Sequence, residues 1–180
     1  VPLRLETDRT ILRPWTDSDL DPWVALNSDE RVMEFFPSTY TRERAERSAA
    51  LLRERLERDG YGWWVLEIKG GASFAGVIAL QDVPFEAHFT PALEVGWRLR
   101  HDHWGRGYAT EGARAALEFA FSELQRDEVV AMTAALNEPS QRVMQRLGMT
   151  RDPNGDFEHP AVAAGHPIRP HVLYRIRRNG

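Results

Sequence analysis

Residues His103 to Phe121 read HWGRGYATEGARAALEFAF: two glycines, Gly105 and Gly107, separated by one residue, then a helical run. Ala113, Ala116, Leu117, Ala120, Phe121 and Leu124 recur at three- and four-residue steps, which puts them on one helix face. The first N–H groups of a helix have no carbonyl partner inside it, and the aligned peptide dipoles add positive charge there. Glycines just before that end let an anion approach without meeting a β-carbon. A diphosphate is therefore a natural guest at Gly105 to Thr110. A P-loop needs four residues between its glycines and then Lys-Ser/Thr, whereas here Tyr108 follows. A dinucleotide fingerprint needs a third glycine and a place after the first strand of a βαβ unit; Gly112 lies too far along and the stretch comes late. A tight turn that holds no ligand is the competing reading of the two glycines alone.

Working outward, LEVGWRLR (Leu93 to Arg100) alternates as a strand, with Leu93, Val95, Trp97 and Leu99 on one face and Glu94 on the other. Gly96 in its middle marks a bulge or a close approach by another backbone. EVVAMTAAL (Glu128 to Leu136) reads as a buried strand, and NEPSQRVMQRLG as a short helix with Asn137 as cap, Pro139 in its first turn and Gly148 past its end. Strand, helix and strand in that order make a crossover whose two strands run parallel. Further out, Thr10 to Trp15 is a strand, Asp17 to Asn27 a short helix, and Thr41 to Asp59 a longer helix stopped by Gly60. YGWWVLEIK and SFAGVIALQDV form a hairpin about Gly70-Gly71, and HVLYRIRR closes the chain as a strand after a loop rich in Pro, Gly and His. The order predicts an α+β fold in a single domain over residues 1–180: a mixed, mostly antiparallel central sheet with one parallel pair, flanked by about four helices.

The formal net charge of −4 supplies no overall positive field for nucleic acid. Arg42, Arg44, Arg47, Arg53, Arg55 and Arg58 interleave with Glu, as on a solvated helix face. The absence of cysteine excludes disulfides, thiolate metal sites and a Cys nucleophile. No basic-then-apolar leader or bilayer-length apolar run is present, so the expected location is cytoplasmic, with no membrane partner.

The combination LEVGWRL, RHDH, WGRGYATEG, helix, strand and NEPSQRVMQRLGM resembles the GNAT superfamily of N-acetyltransferases. LRPWTDSDLDPWVAL followed by DERVMEFF is similar to the opening of its RimJ/RimL-like branch, whose members acetylate protein N termini or small amines. The likeness spans about Thr10 to Met149. It implies a sheet whose parallel strands splay apart, acetyl-CoA as cosubstrate with no metal, and transfer to a primary amine of a small molecule or a protein N terminus; homodimers are common among relatives. In the family's pyrophosphate loop, Gly105 and Gly107 match, and Asp102 stands where Gln or Arg is commonest. The donors implied are the amides of Trp104, Gly105, Arg106, Gly107, Tyr108, Ala109 and Thr110, with the Arg106 side chain as an additional contact. The coenzyme arm is implied to lie along Gly96, Trp97, Arg98 and Leu99, and Asn137 to reach it.

The resemblance places a catalytic Glu at Glu94, whose alternative is an exposed or ion-paired strand residue. Many relatives carry a Tyr as acid to the departing thiolate where this chain has Met144; Ser140, otherwise a helix cap, is the nearest substitute. His159 with Asp156 is the second candidate pair, since a free imidazole titrates near ~6.5. Phe35, Phe36, Tyr40 and one of the Trp63-Trp64 pair, taken as Trp64, are candidates for the acceptor groove. His159, His166 and His171 with Asp156 have spacings that match no helix or hairpin metal pair. Two other classes compete: a non-catalytic acyl-CoA-binding module, and a metal-dependent hydrolase built on the His-rich loop.

Overall fold

The computed structural model describes residues 4–179. Its elements are β1 (Leu5–Glu6), β2 (Thr10–Arg13), α1 (Leu20–Ser28), α2 (Arg42–Asp59), β3 (Trp63–Ile68), β4 (Gly76–Asp82), β5 (Leu93–Leu99), α3 (Tyr108–Ser122), β6 (Glu128–Ala134), α4 (Glu138–Arg146), β7 (Thr150–Arg151), β8 (Phe157–Glu158) and β9 (Pro170–Arg177). The strands form one mixed sheet in the order β1-β2-β3-β4-β5-β6-β9-β7, with β8 added on β9. Every pairing is antiparallel except β5 with β6. The mixed sheet, its single parallel pair and the four helices follow the expected architecture.

Local signals place the helix ends. Thr41 caps α2 by accepting from the Arg44 N–H, and Gly60, at φ 77°, ends it in the left-handed region. Asp17–Asp19 form a 3-10 turn that leads into α1, so the single short helix read from the sequence is two pieces. β1, β7 and β8, two residues each, were not anticipated.

The sheet has two differently covered faces. On one, α3 lies so close that a Cβ on Gly112 would stand 2.9 Å from Ile78 Cγ1 and 3.1 Å from Leu66 Cδ1. On the other, Trp63 of β3 packs edge-on to Trp23 of α1 at 6.3 Å, and the Trp23 indole N–H donates to the Ala45 carbonyl of α2. Register carries these sides along the sheet. Leu66, Ile78 and Trp97 share the α3 side; Trp63, Ala79, Gln81, Glu94, Gly96 and Arg98 share the α1/α2 side.

Between β5 and β6 the ladder consists of one bridge pair, Glu94 with Val130. On its other edge β5 is paired with β4 throughout, Leu93–Leu99 against Asp82–Gly76, so Gly96 marks no bulge. The ends of that ladder fix its pattern: Val83 N–H donates to the Ala92 carbonyl, and Arg100 N–H to the Ala75 carbonyl. Even-numbered residues of β5 therefore turn their backbone groups to β4, and odd-numbered ones turn theirs to β6. Past the bridge, Trp97 faces an opening wedge with both its N–H and its carbonyl.

Candidate active site

The wedge points at the glycine turn. Arg100 leads into a 3-10 turn, His101–His103, after which Gly105 (φ 71°) and Gly107 (φ 82°) both adopt left-handed backbone. α3 starts there with no side-chain cap. Glu111 N–H is the first to bond back, to the Gly107 carbonyl. The six N–H groups of Gly105, Arg106, Gly107, Tyr108, Ala109 and Thr110 make no bond to another described residue. Trp104 departs from the expectation: its N–H donates to the His101 carbonyl at 3.2 Å, and its indole N–H to the Leu99 carbonyl at 2.9 Å. It braces the turn instead of adding a donor.

A second brace has no local sequence signal. Glu111 accepts from Thr7 Oγ1 at 2.6 Å, Arg9 N–H at 2.8 Å and Arg9 Nε at 2.7 Å, while Arg9 Nη1 donates to the Arg106 carbonyl at 3.1 Å. The Arg9 guanidinium also lies 4.7 Å from the Tyr108 ring centroid. These contacts tie the β1–β2 turn to the start of α3 and fix the direction of the unpaired amides. A surface depression runs from this turn along α3 to Arg114 and Arg146.

Backbone parity narrows the set expected to face a coenzyme arm. Gly96 and Arg98 direct their backbone groups to β4, so only the odd-numbered positions can pair with a guest in the wedge. Gly96 contributes differently: a Cβ there would meet nothing nearer than Ala79 Cβ at 3.9 Å. With no side chain of its own, Gly96 leaves room for at least one carbon over the strand between Glu94 and Arg98.

Glu94 and Arg98 flank Gly96 on the same face of β5. Glu94 Oε1 accepts from Gln81 Nε2 at 2.7 Å, and Gln81 Oε1 accepts from the Trp63 indole N–H at 2.8 Å. Burial raises the Glu94 carboxyl to about 7, opposed by the Gln81 hydrogen bond. A carboxylate near neutrality, partly buried and without a cation beside it, is suited to taking a proton. Neither the exposed nor the ion-paired alternative describes it. Arg98 is buried; Nη1 bonds Asn27 Oδ1, and the guanidinium lies 4.2 Å from the Phe36 centroid and 5.7 Å from that of Tyr40.

The tryptophan assignment is reversed. Trp64 is fully buried on the α3 side, edge-on to Phe119 at 6.1 Å, and belongs to the core. Trp63 is the one on the Glu94 side. Strand alternation requires the two to part, but only the register with β4 tells which goes where.

In the His-rich loop the expected pair is absent. Asp156 is exposed and bonds Arg151 Nη2 at 2.8 and 3.0 Å, not His159. His159 sits among rings, 4.8 Å from Phe85 and 4.8 Å from His171, and its Nδ1 accepts from the Ala161 N–H. Burial, with a contribution from His171, depresses it to about 4, so it stays neutral and weakly basic at pH 7. Among the described residues no group of three or more His, Asp or Glu side chains converges as a metal site. The loop instead reaches across the fold: Phe35 packs with Val162, Ile168 and Ala134.

Asn137 caps α4, its Oδ1 accepting from the Ser140 N–H at 3.3 Å and its Nδ2 donating to Thr133 Oγ1 at 2.9 Å and Ser140 Oγ at 3.1 Å. Ser140 thus accepts with its oxygen and retains a proton to give. Met144 is buried in the main core.

Comparison with known proteins agrees with this fold. Residues 9–150 match the family described as the acetyltransferase (GNAT) domain. A Bacillus subtilis protein, YkkB, is 34% identical over 149 residues, covering 81% of this chain and 84% of its own. The FsC-acetyl coenzyme A-N(2)-transacetylase of Aspergillus fumigatus is 32% identical over 153 residues, covering 81% of this chain and 64% of its own. The crystal structure of a GNAT-family acetyltransferase from Bacillus anthracis superposes with a TM-score of 0.78 at 23% identity, covering 97% of this chain and 98% of that one, a likeness of fold. The chain belongs to the GNAT acetyltransferase family and is an N-acetyltransferase.

Proposed function

We propose that this enzyme, as one acetyltransferase domain over residues 1–180, moves the acetyl group of acetyl-CoA directly to a primary amine, both substrates being bound together. The observation that carries this reading is the alignment of three features: six N–H groups at the α3 start without a partner among the described residues, the wedge at Trp97, and the Glu94 carboxyl next to the side-chain-free Gly96. The diphosphate of the donor lies on the first, with Arg114 and Arg146 along its path. Its amide-bearing arm pairs with Trp97 in the manner of an added strand. The thioester then stands at the mouth of the wedge, on the side where Glu94 projects.

The amine attacks the thioester carbonyl carbon, the C–S bond breaks, and the amine's surplus proton passes to Glu94, directly or through one water. The departing thiolate takes a proton from Ser140 or solvent. Met144, buried among apolar neighbours, has none to give. Without cysteine, transfer needs no Cys-bound acyl enzyme. The opening segment LRPWTDSDLDPWVAL supports placement in the RimJ/RimL-like branch and an acceptor that is a small amine or a protein N terminus.

Release of free thiol from acetyl-CoA, followed with a panel of primary amines, tests the proposal. Amine-dependent release is expected, lost above background in Glu94→Gln. Saturable acetyl-CoA binding without turnover of any amine would replace it by a binding module.

A further inference from the structure

Arg98 is 8% exposed, and its Nε has no hydrogen-bond partner among the described residues. Among the described residues no Asp or Glu pairs with it. Its surroundings are Asn27, which bonds Nη1, Tyr40, whose side chain also hydrogen-bonds the guanidinium, and the rings of Phe36, Trp23, Tyr40 and Trp63, all within 6 Å of the guanidinium carbon. Arg44 adds a second cation, stacked 3.9 Å from the Tyr40 centroid. A net-negative protein has therefore collected uncompensated positive charge at one place on the acceptor side of its sheet. A buried charge without a counter-ion is expensive, and an apolar side chain of similar volume serves packing equally well or better. Ring faces recover part of the lost hydration, but rings accept no hydrogen bond from Nε.

We propose that Arg98 is a specificity-determining residue whose guanidinium receives a carboxylate carried by the acceptor, the acceptor's amine lying at Glu94. Three observations converge on it: the Nε unpartnered among the described residues, the position on the same face of β5 as Glu94, and Gly96 between them, which puts no side chain in the way. A planar carboxylate is the anion that a guanidinium edge matches in shape. The spacing limits the acceptor. Four residues of strand separate the two side chains by ~13 Å, and hydrogen bonds of ~2.8 Å at each end leave roughly 7 Å between amine and carboxylate. The acceptor class is thus an amine whose acid group lies several bonds away, as in an ω-amino acid or a short acidic peptide, and not an α-amino acid reacting at its own α-amine.

The inference rests on the acetyl-transfer reading, and its test separates the two. The probes are 6-aminohexanoate and 6-aminohexanamide, which differ only in the anionic group. The wild type is expected to acetylate the acid at least tenfold more efficiently, by kcat/KM, than the amide. In Arg98→Met that ratio falls to about one, and in Arg98→Lys, which keeps charge without the planar fork, it is intermediate. Equal use of acid and amide by the wild type, or an acid preference that survives in Arg98→Met, overturns the proposal. Should neither amine be acetylated, acetyl transfer to this class fails by itself, and the carboxylate site is read by tryptophan emission, since Trp23 and Trp63 adjoin Arg98. A saturable change with 6-aminohexanoate, absent with the amide and absent in Arg98→Met, sustains the site; no acid-specific change rejects it. Thermal melts of both variants establish that they fold.

Discussion

Glu94 offers a substitution whose effects on rate and on stability have opposite signs. Its folded-state value of about 7 lies above its ordinary 4.5 because burial disfavours the charged form. A carboxyl raised in this way binds its proton more tightly in the fold. Its contribution to stability is complete below about pH 4.5 and is lost as the pH rises through about 7. At 1.36 kcal/mol per pH unit the loss at pH 8 is about 3 kcal/mol at most, reduced by whatever water reaches the carboxyl. Glu94→Gln keeps the shape, and its carbonyl oxygen still accepts from Gln81, but it carries no charge. The variant is expected to match the wild type in melting temperature near pH 4.5 and to exceed it at pH 8, by about 5–10 °C for a chain of this size. Its kcat/KM falls by about a hundredfold or more, as expected for removal of a general base. The wild-type rate should decline tenfold per pH unit on the acid side, with a midpoint near 7. Gln81→Leu removes the hydrogen bond that favours the carboxylate and should move that midpoint upward. A melting curve of Glu94→Gln parallel to the wild type from pH 4.5 to 8, together with an unchanged acid limb, would refute both the burial argument and the assignment of the base.

Three further outcomes follow from other parts of the molecule. Gly107→Ala forces a β-carbon into left-handed backbone at φ 82° and within 3.2 Å of Arg9 Nη2; strain of about 1–2 kcal/mol should raise the Kd for acetyl-CoA about tenfold by calorimetry, with α3 otherwise intact. Gly112→Ala gains helix propensity of about 1 kcal/mol but drives a methyl against Ile78 and Leu66, an overpacking of about 1–3 kcal/mol; urea denaturation should show a net loss of about 1 kcal/mol. His159→Phe keeps the ring contacts to Phe85 and His171, so kcat should remain within about twofold of wild type between pH 6 and 8, where a histidine at about 4 is already neutral.

Much of this site was legible because its signals are local. The glycine turn, the apolar stripe of α3 and the Asn137 cap are short-range patterns, and each occurs where its spacing says, except that α3 ends at Ser122, short of Leu124. Glu94 was placed opposite the apolar stripe by alternation alone. What escaped depends on register or on distant pairing. Trp63 and Trp64 exchange roles through the alignment of β3 with β4, and Gln81 becomes the partner of Glu94 only because the two fall opposite each other across a ladder. Arg9 and Glu111 are 102 residues apart, and neither carries a mark of the other. The histidines were misleading for a related reason. Imidazoles suggest proton transfer or metal, yet His159 and His171 pack against each other and against Phe157, while His166 is exposed and accepts from the Ile168 N–H.

The gap between β5 and β6 has a consequence for the lifetime of the protein. Two strands that part in the middle of a sheet leave a groove that is one rung short, and in the proposed binding mode the arm of the donor supplies that rung. Whatever fills it closes the two halves of the sheet into one continuous surface. Persistence of the native form is then set partly by metabolism: donor at a hundred times its dissociation constant adds about 2.7 kcal/mol. Starved of donor, the enzyme should be at its most fragile when it also has nothing to transfer.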